Sequence, residues 1–328
     1  MKINRASGLF LTFLALASTA NTLAAEKDLI SKTFDAKPGG NLEMHVDRGS
    51  IKILATDSDQ VDIKVTRELK RGSDEEARAA YEEHKIEMSQ DGDTVLIRAE
   101  PPGFLKGLKN GHRNLSVEYT ISVPSKFNLD LNTSGGNIDV ATLEGSVELH
   151  TSGGNISTAE INGPVEAHTA GGNIQVKAAK TTANLHTSGG NITVGNVQGD
   201  LVAKTAGGNI TTSDIAGSTD VSTSGGHITV KSARTALKAR TTGGNIKAEI
   251  ASLTETSSLK STGGNIDLIL ADKTSANLTA KTTGGQVRSD IEGDLNKQRT
   301  KLTAQLNGGG PELTLETTGG NVKISQKK

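Results

Sequence analysis

From residue 131 onward, apolar side chains occupy alternate positions in short runs, and each run stops at a polar, glycine-containing break. In "SVELHTSGGNIST", Val147, Leu149 and Thr151 share one face ahead of Gly153-Gly154-Asn155, and Ile156 and Thr158 share one after it. The alternation returns as Val165/Ala167/Thr169 then Ile174/Val176, and as Ala183/Leu185/Thr187 then Ile192/Val194. A period of two places such runs in half-buried strands. A further apolar position recurs between strand pairs at Leu143, Ile161, Ala179, Val197, Ile215 and Ala233.

The breaks are themselves periodic. Gly-Gly pairs begin at Gly135, Gly153, Gly171, Gly189, Gly207, Gly225 and Gly243, each 18 residues after the last, with looser copies at Gly263, Gly284 and Gly319. "HVDRGSIKI" (45–53) reads as a worn copy near the N-terminus. Repeats of this kind predict an all-β fold, a single-chain β-solenoid (β-helix) whose coils of about 18 residues stack at about 4.8 Å. Within the phrase, Gly-Gly is expected to supply left-handed backbone at a tight corner. Asn is expected to tolerate the same region and to hydrogen-bond along a ladder through Asn137, Asn155, Asn173, Asn191, Asn209, Asn245, Asn265 and Asn321, interrupted by His227 and Gln286. The Thr before each corner (Thr151, Thr169, Thr187, Thr205, Thr223, Thr241) faces inward by parity and is expected to satisfy buried backbone.

Residues 26–130 read differently, as a β-rich cap with one short helix, ahead of a solenoid over 131–328. "GNLEMHVDRGSIKILATDSDQVDIKVTREL", "DTVLIRAE" and "LSVEYTISVP" read as strands, the last two joined by a loop over 101–114. Residues 73–88 read as a helix opened by a Ser73/Glu76 capping box, with Ala77, Ala80, Tyr81, His84 and Met88 near one face. A solenoid needs its open sheet edges covered, and this region and the aperiodic stretch 289–312 are placed to cover them.

Composition sharpens the picture. The chain has 38 Gly, no Trp, two Tyr and five Phe, and no aromatic residue follows position 130, so the repeat core must be thin. There is no Cys, which removes disulfides, thiol chemistry and the lipobox anchor of bacterial lipoproteins. Residues 1–25 combine a basic start, a short apolar stretch and small residues near Ala24, and read as an export signal. After its cleavage the mature chain is expected not to span a membrane and to reside in the periplasm or at the cell surface. A formal charge of −1 gives no reason to expect nucleic acid as a partner.

"GGNLEMHVDRGSIKIL", then "VEYTISVPSKFNLDLNTSGGNIDV", then serial "TSGGNI" phrases resemble a bacterial family of exported, adhesin-like β-solenoid proteins of unknown function. The resemblance covers roughly residues 30–325. It implies a β-solenoid fold, and it implies adhesion only by architecture. This chain departs from the family pattern in using Asn where Asp is common, and in its regularity.

One outward column carries the candidate chemistry. The residue before the inward Thr is His150, His168, His186, Lys204, Ser222, Arg240, Lys260, Lys281 and Glu316 in successive copies. Three stacked His could hold a transition metal, against the plainer reading of a solvated polar ladder. Taken whole, His150, His168, His186, Lys204, Arg240, Lys260 and Lys281 form a mildly basic stripe able to meet an anionic glycan or headgroup. Calcium binding of the repeat-toxin kind fails, because Ile follows the Asn and Asp occurs next only at Asp139 and Asp267. A surface for ice would need two columns of Thr, and Thr193, Thr211 and Thr229 make one. Enzymatic function has no clustered acid and base to rest on, and Gly-Gly-Asn-Ile is a turn rather than a phosphate cradle. The sequence therefore predicts a non-enzymatic adhesin or envelope scaffold without cofactors. The alternative is a periplasmic module for metal or an anionic envelope polymer, and behind it a polysaccharide-active enzyme, since some solenoids cleave polysaccharides, although the acidic positions here are scattered and no aromatic platform follows residue 130. Envelope or surface polysaccharide, or another protein, is the expected partner.

Overall fold

The computed structural model describes residues 27–100 and 114–327. The export signal and most of the 101–114 loop lie outside the described residues. The chain is a β-solenoid of two facing sheets, A and B, of fifteen strands each. A typical coil gives Val147–Thr151 to sheet B, turns at the Gly-Gly corner, and gives Ile156–Asn162 to sheet A. Successive coils pair in parallel with the register of the sequence period: Val147 beside Val165, Leu149 beside Ala167, Ile156 beside Ile174 and Ile174 beside Ile192. Like residues therefore stack on like. The inward rows of Val, Leu, Ile and Ala are buried, and Leu143, Ile161, Ala179, Val197, Ile215 and Ala233 close the opposite corner. Aliphatic side chains fill the gap between two sheets about 10 Å apart, which is why no aromatic is needed there.

The corners work differently from the expectation at one point. Among the second glycines of the repeated pairs, only Gly136 lies in the left-handed region, at φ +141°, and no ladder Asn lies there. Close approach is what demands glycine. A Cβ on Gly172 would overlap the carbonyl of Gly154 one coil below, and one on Gly190 would overlap that of Gly172. The first glycine is far less constrained: a Cβ on Gly171 would meet its nearest neighbour at 3.9 Å. The inward Thr fixes the same approach, as expected. Thr169 Oγ1 donates to Gly154 O (2.8 Å) and accepts from Gly172 N–H (3.2 Å). Ser261, Thr317 and Thr282 continue this column.

Asn is selected for its side-chain acceptor. Asn137 Oδ1 accepts from Asn155 N–H (2.9 Å), Asn155 Oδ1 from Asn173 N–H (2.8 Å), and so on up the stack. His227 keeps the ladder intact, since its Nδ1 accepts from Asn245 N–H at 2.9 Å. Gln286 ends it, donating its N–H to Asn321 Oδ1 at 2.9 Å.

At both ends the stacking order departs from chain order. The worn copy is a true coil: Asn41–Val46 and Ser50–Thr56 pair with Asn128–Thr133 and Ile138–Val140. Beyond it lie Thr94–Ala99 and Leu115–Pro124, so later residues stack outside earlier ones. At the other end the last coil, Glu312–Thr317 and Val322–Lys327, inserts between the coils of Ser257–Ala271 and Ala276–Ser289. Antiparallel strands then finish the edges. Gln60–Leu69 and Asp28–Asp35 extend sheet A, Ile86–Asp91 extends the near end of sheet B, and Lys301–Leu306 with Asp294–Leu295 finish its far end.

The helix runs Asp74–Glu83 and carries the expected capping box, Glu76 N–H to Ser73 Oγ and Ser73 N–H to Glu76 Oε2. It is shorter than the sequence reading. Met88 belongs to the strand Ile86–Asp91, because His84 leaves the helical backbone to bury its ring against Asp47.

Candidate functional site: the outward face of sheet B

Strands of sheet B alternate inward and outward, so each outward position becomes a column running along the stack. The predicted column is real through its first seven members. His150 pairs with His168, His168 with His186, His186 with Lys204, Lys204 with Ser222, Ser222 with Arg240 and Arg240 with Lys260. Its end is corrected: Glu316 lies between Lys260 and Lys281, because the last coil of the chain inserts there. The Lys260 ammonium hydrogen-bonds Glu316 at 2.8 Å, which holds that carboxyl below the ordinary Glu value, and the Lys281 charge adds to the effect. The basic stripe is thus interrupted.

The three His rings stack side by side. Their centroids lie 4.9 Å apart for His150 and His168, tilted by 55°, and 5.6 Å apart for His168 and His186, nearly parallel at 6°. Among the described residues no group of three or more His, Asp or Glu is arranged to hold a metal ion. Strand-spaced rings stand beside one another instead of converging on a point. Each takes its electrostatic setting from neighbours on the same face. Glu166 Oε1 meets His168 Nε2 at 3.0 Å, and Glu148 lies 3.9 Å from His150 Nδ1. His186 is pushed below the ordinary His value by desolvation and by the His168 and Lys204 charges.

A second outward column stands two residues earlier on each strand and contains Glu148 and Glu166. The structure extends it with residues the period did not reveal. Glu43, Asp130, Glu148 and Glu166 stand on four neighbouring strands in direct register. They line a shallow depression of about 310 Å³ with Asn128, Ser146 and Asn184. His45 joins the His column through Asn132, and Lys301 extends the far end beyond Lys281. A second depression, of about 510 Å³, lies in that far half, lined by Arg240, Lys260 and Lys281 with Thr242, Thr262 and Thr283. The worn phrase "HVDRGSIKI" was the one signal able to place His45 here.

A separate polar cluster lies buried at the N-terminal end. His84 Nε2 meets Asp47 Oδ1 at 3.0 Å, and Arg48 Nε donates to Asp47 Oδ2 at 2.8 Å. Burial would raise the Asp47 carboxyl, but hydrogen bonds and charges from His84 and Arg48 outweigh it and hold it below the ordinary Asp value. Tyr119 is pushed far upward by burial, with the Asp47 charge adding to it. Arg67 donates to Tyr81 O (2.7 Å), His84 O (2.6 Å) and Asp28 Oδ2 (2.6 Å), tying helix to sheet. The His84 side chain has no solvent exposure, so this cluster offers no substrate an approach. It is a fastening. Among the described residues no helix is long and apolar enough to cross a membrane.

A sequence profile of the Toastrack DUF4097 family matches residues 40–325. No curated protein sequence matches the chain. Among solved structures, a "putative adhesin" from Bacteroides fragilis aligns at 14% identity over 93% of this chain and 100% of its own, with a TM-score of 0.37. A "putative lipid binding protein" from Parabacteroides distasonis aligns at 10% identity over 92% and 97%, with a TM-score of 0.34. A "putative cell adhesion protein" from Clostridium sporogenes aligns at 12% identity over 92% and 100%, with a TM-score of 0.24. Those names describe the proteins that carry them.

Proposed function

The chain belongs to the Toastrack DUF4097 family, and on that footing we propose that it is an exported, non-enzymatic β-solenoid acting as an adhesin or cell-envelope scaffold. The observation that carries this reading is the outward face of sheet B. Its charged and polar side chains stand in register along the stack, while the repeated phrase is consumed by the corners. Such a face works by multivalency: weak contacts spaced at the strand interval add through effective concentration. A catalytic centre needs acid and base groups converging on one reacting atom, and evenly spaced columns do the opposite.

Protease shaving of intact cells, beside a periplasmic control protein, tests the reading. Cleavage of this chain while the control survives supports a surface adhesin. Protection with release in the periplasmic fraction supports an internal envelope scaffold. Retention in the cytoplasm overturns export and with it the proposal.

A second reading is favoured by the depression at Arg240, Lys260 and Lys281, where three cations stand among Thr hydroxyls. There the chain would bind an anionic envelope polymer, and Glu316 lowers the net charge available. Salt-sensitive binding of dextran sulfate, lost on Arg240→Ala and Lys281→Ala together, supports it. Binding unchanged by that pair of substitutions removes it.

A further inference from the structure

The two outward columns of sheet B change character together along the stack. His150 and His168 stand in the column before the inward Thr, and Glu148 and Glu166 stand two residues earlier on the same strands. Toward the N-terminal end the same two rows continue as Asn132 and His45 beside Asp130 and Glu43. Toward the other end the first column carries Arg240, Lys260, Lys281 and Lys301, and the second carries Lys238, Ser258, Thr279 and Thr303, without a carboxylate. Titratable imidazoles are thus set beside carboxylates, and permanent cations beside neutral or basic side chains. His186, Lys204 and Ser222, with Asn184, Val202 and Asp220 two residues before them, form the boundary. Within the cationic part, Glu316 is held by Lys260, and Glu312 lies further down its strand, where Asn277 Nδ2 donates to it at 3.3 Å. Lys281 and Lys301 stand directly across from one another, a like-charge placement that favours an added anion.

Imidazole is the side chain whose ordinary titration falls between about pH 5 and 8, a range over which Lys, Arg and carboxylates keep their charge. Above that range the His rows are neutral, and the carboxylate rows give the N-terminal part of the face a negative sign that turns an anionic chain away. Below it each ring is positive, offsets the carboxylate on its own strand, and continues the Lys and Arg column. We propose that the His column is an acid-activated extension of the anionic-polymer site: a polysaccharide held from Lys204 to Lys301 at neutral pH is held from His150 to Lys301 once the rings are charged. This rests on the anionic-polymer reading above and adds its regulation. The footprint grows from six strand intervals to nine, from roughly 29 Å to roughly 43 Å. The charged groups around the three rings are Asp130, Glu148, Glu166 and Lys204, all on sheet B. Glu166 Oε1 already meets His168 Nε2 at 3.0 Å. His186 has no carboxylate on its strand and is held below the ordinary His value by desolvation, then by the His168 and Lys204 charges. The extension is therefore complete only at the acid end of the range.

Binding of the purified chain to dextran sulfate at fixed low salt, at about pH 7.5 and about pH 5.5, is the test, because sulfate keeps its charge at both. Affinity should rise about tenfold or more on acidification. His150→Gln, His168→Gln and His186→Gln in one chain should abolish that rise. Lys at the same three positions should give the acid affinity already at about pH 7.5. His227→Asn, in the corner ladder and outside the column, should keep the rise. These side chains lie on the exterior, and an unchanged melting temperature shows that each variant folds. A sulfated oligosaccharide shorter than about 29 Å, which Lys204 to Lys301 already holds, should gain less than about twofold. Four results overturn the extension and leave the anionic-polymer reading standing: affinity that does not rise, a rise that survives the Gln changes, a rise lost with His227→Asn, or an equal rise for the short oligosaccharide. No binding at either pH removes that reading and the extension with it.

Discussion

The repeat coils and the N-terminal end solve the same problem with opposite means. In the coils, each contact is made to the coil above or below, by residues of small volume and fixed place. Thr187 Oγ1 donates to Gly172 O at 2.8 Å, and Asn173 Oδ1 accepts from Asn191 N–H at 2.8 Å. At the end, no further coil supplies those partners, and termination is built from unique residues: buried Tyr119 and Phe127, the His84–Asp47 pair, Arg67 and two added antiparallel strands. A period makes stability additive and cheap to extend. Stopping a period requires residues that the period does not contain.

The sharpest way to break the coil side of that comparison is to block close approach. Gly172→Ala forces a Cβ into the Gly154 carbonyl and is expected to cost about 3 kcal/mol or more. Gly171→Ala, one residue away, is expected to shift stability by no more than about 1 kcal/mol. Chemical denaturation of the two variants side by side reads the difference. Equal losses would show that backbone conformation, not coil contact, selects both glycines.

The end is broken by His84→Ala. It removes the buried partner of Asp47 and the ring that closes the helix, at an expected cost of about 2–4 kcal/mol in the same assay. Hydrogen exchange should then rise in Asp74–Glu83 and Ile86–Asp91 while the coils beyond residue 131 keep their protection.

Position decides the sign for one residue type within the coils. Thr187→Val strands a corner carbonyl and N–H and should cost about 2 kcal/mol. Thr212 sits in the apolar row between Val194 and Val230, and its buried hydroxyl finds no hydrogen-bond partner among the described residues. Thr212→Val should therefore raise stability by about 1 kcal/mol.

The smallest expected effect is titration of the end. The Asp47 carboxyl is held below its unfolded value, so the stability it contributes is complete above about pH 4 and is lost as pH falls through the lower folded value. Asp47→Asn should flatten the fall in melting temperature over that acid window, and an unchanged acid profile would mean that other carboxylates set it.

Much of this was legible in the sequence, and the failures have physical causes. The period of Gly-Gly-Asn-Ile gave the coil, the inward Thr and the Asn ladder, because stacking makes every local requirement repeat. It misled on glycine, since close approach and left-handed backbone select the same residue and only coordinates separate them. It misplaced Glu316 and missed Glu43 and Asp130, because chain order equals stacking order only where coils follow one another without insertion. The capping box at Ser73 fixed the start of the helix, whereas its end depended on His84 meeting Asp47, a contact 37 residues apart in sequence.

Function on the outward face of sheet B, with the repeat as frame, is tested most directly by exchanging faces. One variant replaces Glu148, Glu166, Lys204 and Arg240 on sheet B with Thr; the other replaces Gln175, Lys247, Asp267 and Lys323 on sheet A with Thr. Both should keep the melting temperature. Binding of each purified chain to isolated bacterial cell envelopes should fall about tenfold or more for the sheet B variant and change less than about twofold for the sheet A variant. Equal loss from both faces, or loss from sheet A alone, would contradict the assignment.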